Sequence, residues 1–307
     1  MELKPLAWFL CIAETGSLSK AALQLQVSQS MLSRGIQDLE SELGHRLFHR
    51  TGRGMHPTEF GRRLVPLAQR ATQEVTRFTD EAKALRGKLS GTVAIGLPGS
   101  IAARLVAPLV RLARDRYPEL SLRFVEGLSG GIEEWLASRR IDIGLVFARE
   151  PRASRKGMVL ASSNLYLVGP AGDALTAKRA VTVAQLASVP IMLPGRPHSV
   201  RTMVEDACAE AGIELDLLCE IDSLLAIRET VAAGCGYTVS GLDSVANDVA
   251  AGRLQAVPIK DPVISRVLVM TLGPKHSITT ATRAVADLIV AVAGQLVADG
   301  TWRATKA

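Results

Sequence analysis

Between Gly44 and Arg70, six arginines (Arg46, Arg50, Arg53, Arg62, Arg63 and Arg70) stand against a single acid, Glu59. His45, His49 and His56 lie among them. Guanidinium groups at this density match phosphate oxygens, so the chemistry on offer is contact with a polyanion. Just upstream, Ser28-Gln29-Ser30-Met31-Leu32-Ser33-Arg34 places polar side chains at the start of a helical segment. Arg pairs bidentately with guanine and Gln with adenine, so these types suit base readout. A second set lies further along. Ser100, Ser129 and Ser199 each precede or open a helical segment, and Arg196 and His198 occupy a loop bracketed by prolines. Hydroxyls and backbone N–H groups at helix starts hold small anions; they serve equally as plain caps. Other chemistries lack their residues. There is no Gly-x-Ser-x-Gly, P-loop or His-Glu-x-x-His motif and no close His/Asp/Glu cluster on a strand end. No catalytic residue and no cofactor is therefore assigned. His45 and His49 have a metal-ligand spacing but no third ligand, so no metal is assigned either. The four cysteines contain no C-x-x-C pair and read as isolated, mostly buried thiols.

The elements that position the first set follow from periodicity. Leu3, Leu6, Leu10 and Ala13 recur at helical spacing beside Phe9, and the pattern stops at Thr15-Gly16-Ser17. Ser19 precedes a short helix over 20–25, Val27-Ser28 breaks the chain, and a longer helix carries Leu32, Ile36, Leu39 and Leu43 on one face to Gly44. A short helix, a tight corner and a second helix with a polar first turn form a helix-turn-helix, with Ala21 and Ala22 allowing close approach. Gln29, Ser30, Ser33 and Arg34 then fall on the end that enters the major groove. Leu47-Phe48 pack beneath. The glycine-flanked Thr51-Gly52-Arg53-Gly54-Met55 makes a wing, whose Arg50 and Arg53 suit phosphate or minor-groove contact, and Thr58 caps the next helix.

That helix has a narrow apolar stripe. Phe60, Leu64, Leu67, Ala71, Val75, Phe78, Ala82 and Leu85 recur every three or four residues over about seven turns, with Pro66 a possible kink. So long and thin a stripe reads as pairing with another helix, and Gly87 and Ser90-Gly91 mark a hinge after it. Beyond the hinge, strands at 92–97, 121–125 and 141–147 alternate with helices at 101–116 and 132–138, which favours a parallel sheet. A second run starts near Tyr166 with strands at 191–193, 217–221 and 237–239 and helices at 199–211 and 224–232. A strand at 267–271 and a helix at 279–297 return to the first run, giving two α/β lobes. Ligands of open α/β sheets bind where strands end and helix N-termini converge. That rule selects Pro98, Gly99, Ser100, Ser129, Phe147, Arg196, His198, Ser199, Ser223 and Ser240 as effector-binding candidates, with a small anion as the ligand.

The totals are quiet by comparison. The chain has 307 residues with a formal net charge of +6. Residues 1–90 hold 13 basic and 9 acidic side chains and the rest 23 against 21, so the basic excess is local. No run of 18 apolar residues is present and the N-terminus lacks signal-peptide character, so no membrane partner and a cytoplasmic location are expected.

Together these residues carry a family resemblance. Phe9, Ala13, Gly16-Ser17-Leu18, Ala21-Ala22, Ser28-Gln29-Ser30, Leu32-Ser33, Ile36, Leu39-Glu40, Leu43-Gly44, Leu47-Phe48, Arg50 and Thr58-x-x-Gly61 resemble the LysR-type transcriptional regulators over some sixty consecutive positions. Tyr117-Pro118, Arg140-Ile141-Asp142-Ile143-Gly144-Leu145 and Val231-Ala232-Ala233-Gly234-x-Gly236 are similar to the family's effector domain, and 193–201 looks like the subgroup related to nitrogen-assimilation regulators. The resemblance implies a winged helix-turn-helix at 1–59, a linker helix for dimerisation and hinge at 60–90, and a two-lobed, periplasmic-binding-protein-like α/β effector domain at 91–307. Lobe I would take 91–164 and 267–307, lobe II 165–266. It further implies double-stranded promoter DNA of pseudo-palindromic sequence, a small-molecule effector and RNA polymerase as partners, with homodimers assembling to a homotetramer. DNA contact falls to Gln29, Ser30, Ser33, Arg34, Arg50 and Arg53. An architectural DNA binder without an effector stays open, because a receptor fold alone does not prove a ligand.

Overall fold

The computed structural model describes residues 3–51, 54–86, 88–149 and 157–306. The chain divides into two compact units, 1–87 and 88–307.

The first unit is built on three caps. Helix α1 (Leu3–Thr15) is followed by α2 (Leu18–Gln24), whose N-cap is Ser17, accepting from the Lys20 N–H; Ser19 lies inside the helix rather than before it. Ser28 caps α3 (Gln29–Leu43) by accepting from the Met31 N–H, and Gly44 ends it in the left-handed region at φ 72°. Strands β1 (Phe48–Thr51) and β2 (Gly54–Pro57) form an antiparallel hairpin. Thr58 then caps α4 (Glu59–Ala84), which stays helical through Pro66. Phe9, Ile12, Ala21, Leu32, Ile36, Leu39 and Leu47 are all nearly inaccessible, and the start of α4 closes their core with Ala68, Leu64 and Ala71.

In the second unit, β3 (Gly91–Leu97), α5 (Gly99–Arg116), β4 (Leu120–Glu126), α6 (Ser129–Ala137) and β5 (Ile143–Ala148) form a parallel trio with β3 in the middle. The long strand β6 (Met158–Pro170) then crosses into the second lobe. There β7 (Val181–Thr182), α7 (Val183–Leu186), β8 (Ile191–Leu193), α8 (Ser199–Glu210), β9 (Leu217–Glu220), α9 (Leu224–Ala232), β10 (Tyr237–Gly241), α10 (Leu242–Ala250) and β11 (Leu254–Lys260) follow. The return strand β12 (Ser265–Leu272), α11 (Thr280–Ala298) and β13 (Thr305–Lys306) complete the first lobe. Strand order is β4-β3-β5-β12-β6-β10-β8-β9.

The sheet is mixed rather than wholly parallel. Each lobe keeps a parallel trio, but β12 runs antiparallel to β5 and β6 antiparallel to β10, because these two strands carry the chain between lobes. The changeover is sharp: Asn164 pairs with Ser265 of β12, and Leu165 with Gly241 of β10. Helix α11 is apolar enough by length and composition to cross a membrane, yet Val285, Leu288, Ile289 and Val292 are buried in the core of lobe I with Leu105 and Leu109. Of the thiols, Cys11 and Cys208 are buried, whereas Cys219 on edge strand β9 and Cys235 in the turn after α9 are exposed.

Candidate functional site: a reading head and an interlobe cleft

In the first unit the polar start of α3 faces outward. Gln29, Ser30 and Arg34 are exposed and Ser33 is half-buried, while Leu32 and Ile36 hold the opposite face in the core. Gln29 accepts from the Ser19 hydroxyl (3.4 Å) and Ser30 shares a hydrogen bond with the cap Ser28 (3.1 Å). Arg34 has no hydrogen-bond or ion-pair partner among the described residues, so its five donors are free to bind. Arg50, on β1, donates to the Ser33 hydroxyl at 3.0 Å and so ties the hairpin to the reading helix. Arg53 lies outside the described residues. His45 packs tilted against Phe60, with ring centroids 4.7 Å apart and 43° between their planes, and His49 is paired across the hairpin with His56.

In the second unit a cavity of about 570 Å³ opens between the two lobes. Nine of the ten effector-binding candidates line it: Pro98, Gly99, Ser100, Ser129, Phe147, His198, Ser199, Ser223 and Ser240. Helices α5, α6, α8, α9 and α10 all begin there. Capping occupies only part of this polar wall. Ser223 caps α9 by accepting from the Ala226 N–H, and His198 caps α8 through Nδ1, which accepts from the Val200 N–H at 3.1 Å. Ser100, Ser129 and Ser199 sit one or more positions inside their helices, and their hydroxyls have no hydrogen-bond partner among the described residues.

Arg196 is the exception. Its side chain, 72% exposed, turns away to an ion pair with Glu205 at 2.7 Å. Glu205 also binds Arg201, so this side of α8 draws the loop cation out of the cleft. Two cations absent from the sequence-derived set take its place. Arg228 lines the cavity but is neutralised by Asp248 at 3.3 Å. Arg266, from β12, is only 4% exposed and its guanidinium carbon lies over the Phe147 ring, 3.7 Å from its centroid. Its Nε donates to the Ser163 hydroxyl at 3.3 Å, and no carboxylate lies within ion-pair distance among the described residues. Burial pushes its guanidinium down to about 10, with Asp243 opposing, so it is charged at neutral pH. His198 is pushed below its usual range by burial and by Arg266, with Asp222 opposing, and is therefore neutral. A buried, charged guanidinium without a carboxylate in direct contact is costly, and a bound anion would reduce that cost. The lobes are bridged at one edge by Arg149, at the end of β5, which reaches Glu210 of α8 at 2.8 Å.

Comparison with known proteins places both sites in one family. Residues 3–62 match the bacterial regulatory helix-turn-helix protein of the lysR family, and 86–294 the LysR substrate binding domain. The HTH-type transcriptional regulator BbuR of Bordetella bronchiseptica is 30% identical over 96% of this chain and 90% of its own length. The nitrogen assimilation regulatory protein nac of Klebsiella aerogenes is 27% identical over 95% of each chain. Among solved structures, full-length CbnR in complex with its target DNA aligns over 95% of this chain and all of CbnR at TM-score 0.72 and 21% identity, which speaks for the fold. Full-length BenM aligns over 100% and 99% at TM-score 0.57 and 25% identity. The reading head, the interlobe cleft and these matches have one conclusion: the chain belongs to the LysR family and is a DNA-binding transcriptional regulator with a substrate-binding domain.

Proposed function

We propose that this regulator is controlled by a small anion seated in the interlobe cleft against Arg266. The observation that supports this most directly is the buried guanidinium on Phe147 with no carboxylate partner, beside the unengaged hydroxyls of Ser100, Ser129 and Ser199. A melting screen of the full chain against carboxylates, phosphates, amino acids and uncharged metabolites tests it. A ligand at a hundred times its Kd stabilises the bound state by about 2.7 kcal/mol, roughly 5–10 °C here. Hits are expected among the anions and should vanish in Arg266→Gln. Hits confined to uncharged compounds, or retained in Arg266→Gln, overturn the anion. A screen with no hit at all favours constitutive DNA binding.

On the DNA side, Arg34 is the base reader and Arg50, with Arg53, the phosphate contact, in dimers that grip pseudo-palindromic sites and assemble to tetramers. This reading rests on the exposed start of α3 and on the Arg50–Ser33 tie, and it places the protein in the cytoplasm, where promoter DNA and RNA polymerase are met. Ligand-driven movement of the lobes would then change DNA bending and polymerase contact. Arg34→Ala should cost about 1–3 kcal/mol of discrimination at one base pair, while Arg50→Ala should weaken binding on every sequence and lower the salt slope by about one. Binding titrations on matched and mismatched sites at several salt concentrations separate the two. Equal loss on all sequences from Arg34→Ala would remove its base-reading role.

A further inference from the structure

The cleft is lined by charge of both signs, Arg266 on one hand and the carboxylates of Glu126 and Asp222 on the other, with His198 feeling both Arg266 and Asp222. Its positive group is Arg266 on Phe147, whose far edge reaches Gly241 at the start of α10: a Cβ there would stand 1.9 Å from an Arg266 terminal nitrogen. Its negative groups are two carboxylates, one from each lobe. Glu126 closes β4 and lies against the first residue of α5; a Cβ on Gly99 would stand 2.3 Å from its Oε1. Helix α5 has no side-chain cap, so the Glu126 carboxylate already meets the positive field of that helix start. Glu126 has no hydrogen-bond or ion-pair partner among the described residues. Asp222, on the wall of the other lobe, spends one oxygen on the Gly195 N–H at 2.8 Å. Both line the same cavity as Arg266.

A ligand that is only an anion gains at Arg266 and is repelled at Glu126 and Asp222. A dicarboxylate is repelled more strongly, because a second negative group meets the carboxylates directly. Strands β4, β3, β5 and β12 lie side by side in that order, three steps of about 4.8 Å, and the registers set Glu126 level with Met270, four residues of about 3.3 Å along β12 from Arg266, so the two backbones start about 20 Å apart. Both residues line the cavity, and their long side chains shorten that span to a gap walled by Phe147, Leu224 and Val245.

We infer that the effector is a small zwitterion: a carboxylate held at Arg266 and an ammonium at Glu126 and Asp222, joined by a short carbon frame. This rests on the anion reading of the cleft and adds the second pole. Calorimetry on the full chain tests it with alanine, 4-aminobutyrate and 6-aminohexanoate, each against the monocarboxylate and dicarboxylate of the same carbon number. At least one zwitterion should bind tenfold or more tighter than its monocarboxylate, with the dicarboxylate weakest. Glu126→Gln should erase that preference and leave monocarboxylate binding as tight or tighter; Arg266→Gln should abolish binding of both, with melting curves confirming that each variant is folded. If mono- or dicarboxylates bind the unaltered protein as tightly as any zwitterion, or Glu126→Gln leaves the ratio unchanged, the zwitterion is wrong and the anion reading stands. If no probe binds, or Arg266→Gln binds as before, both fall.

Discussion

Replacing Gly61 with alanine should destabilise the DNA-reading unit while leaving the ligand-binding unit intact. Helix interiors ordinarily favour Ala over Gly by about 1 kcal/mol, so the expected sign is opposite to the propensity rule. The reason is a backbone contact. A Cβ at Gly61 would stand 2.2 Å from the Leu47 carbonyl oxygen. That carbonyl has nowhere to go: it accepts from the Thr58 N–H at 2.9 Å, and the Leu47 N–H is held by Glu40 at 2.7 Å. Leu47 itself is fully buried. Either α4 lifts off the core or the Thr58 cap, which accepts from the Gly61 N–H at 2.9 Å, is broken. Overpacking costs about 1–3 kcal/mol and the lost cap about 1 kcal/mol more, which outweighs the propensity gain. A net loss of about 2 kcal/mol lowers the melting point of a unit this size by roughly 8–16 °C. Gly294→Ala is the control, since nothing lies within 4 Å of its Cβ position on α11. It should leave the melting point unchanged or raise it slightly. An unshifted first transition in Gly61→Ala would show that Leu47 yields more cheaply than its two hydrogen bonds indicate.

The reading head was legible because its signals are local. Ser28, Gly44 and Thr58 each act within four residues of themselves, and the structure finds each at the helix end its type favours. One local error, Ser19 for Ser17, arose between two serines two residues apart, of which only Ser17 precedes the helix; the bond from the Lys20 N–H decides for Ser17. The cleft depended on longer range. The strand-end rule brought nine residues to one cavity, because it needs only the order of strands and helices. It misplaced Arg196, because Glu205, nine positions on, becomes its neighbour only when α8 forms. It passed over Arg266 because that residue precedes an apolar strand and reaches Phe147 only through the pairing of β12 with β5. A lone arginine at the head of a buried strand was nevertheless a visible signal. Helix α10 and strand β11 were missed because Ser244, Asn247 and Asp248 weaken helical propensity and Pro258 interrupts the strand pattern.

The apolar stripe of α4 carries the second large effect. Its first half splits between two duties: Leu64, Ala68 and Ala71 pack on the unit's own core, while Leu67 remains 50% exposed. Beyond residue 72 the stripe has no cover within its unit, with Val75 at 41%, Phe78 at 77% and Leu85 at 84% exposure. Glu74–Arg77 and Asp80–Lys83 pair three residues apart along the helix, the first beside the stripe and the second on its far side. Such a seam in water is explained by a second copy of the same helix, and two-fold pairing buries each side chain twice. Burying a Phe side chain stabilises by about 1.5–3 kcal/mol, so Phe78→Glu removes about 3–6 kcal/mol per dimer before repulsion between the two new carboxylates is added. The dimer Kd should rise at least a hundredfold. Because each head then binds its half-site alone, the advantage of a linked pair disappears, and occupancy of a two-half-site operator should fall by a similar factor. Sedimentation at micromolar concentration and a footprint on the two-half-site DNA read these separately. Gln73→Glu adds the same charge on the opposite, exposed side of α4 and should do neither. A dimer that survives Phe78→Glu would mean that this stripe is covered by something other than its own copy.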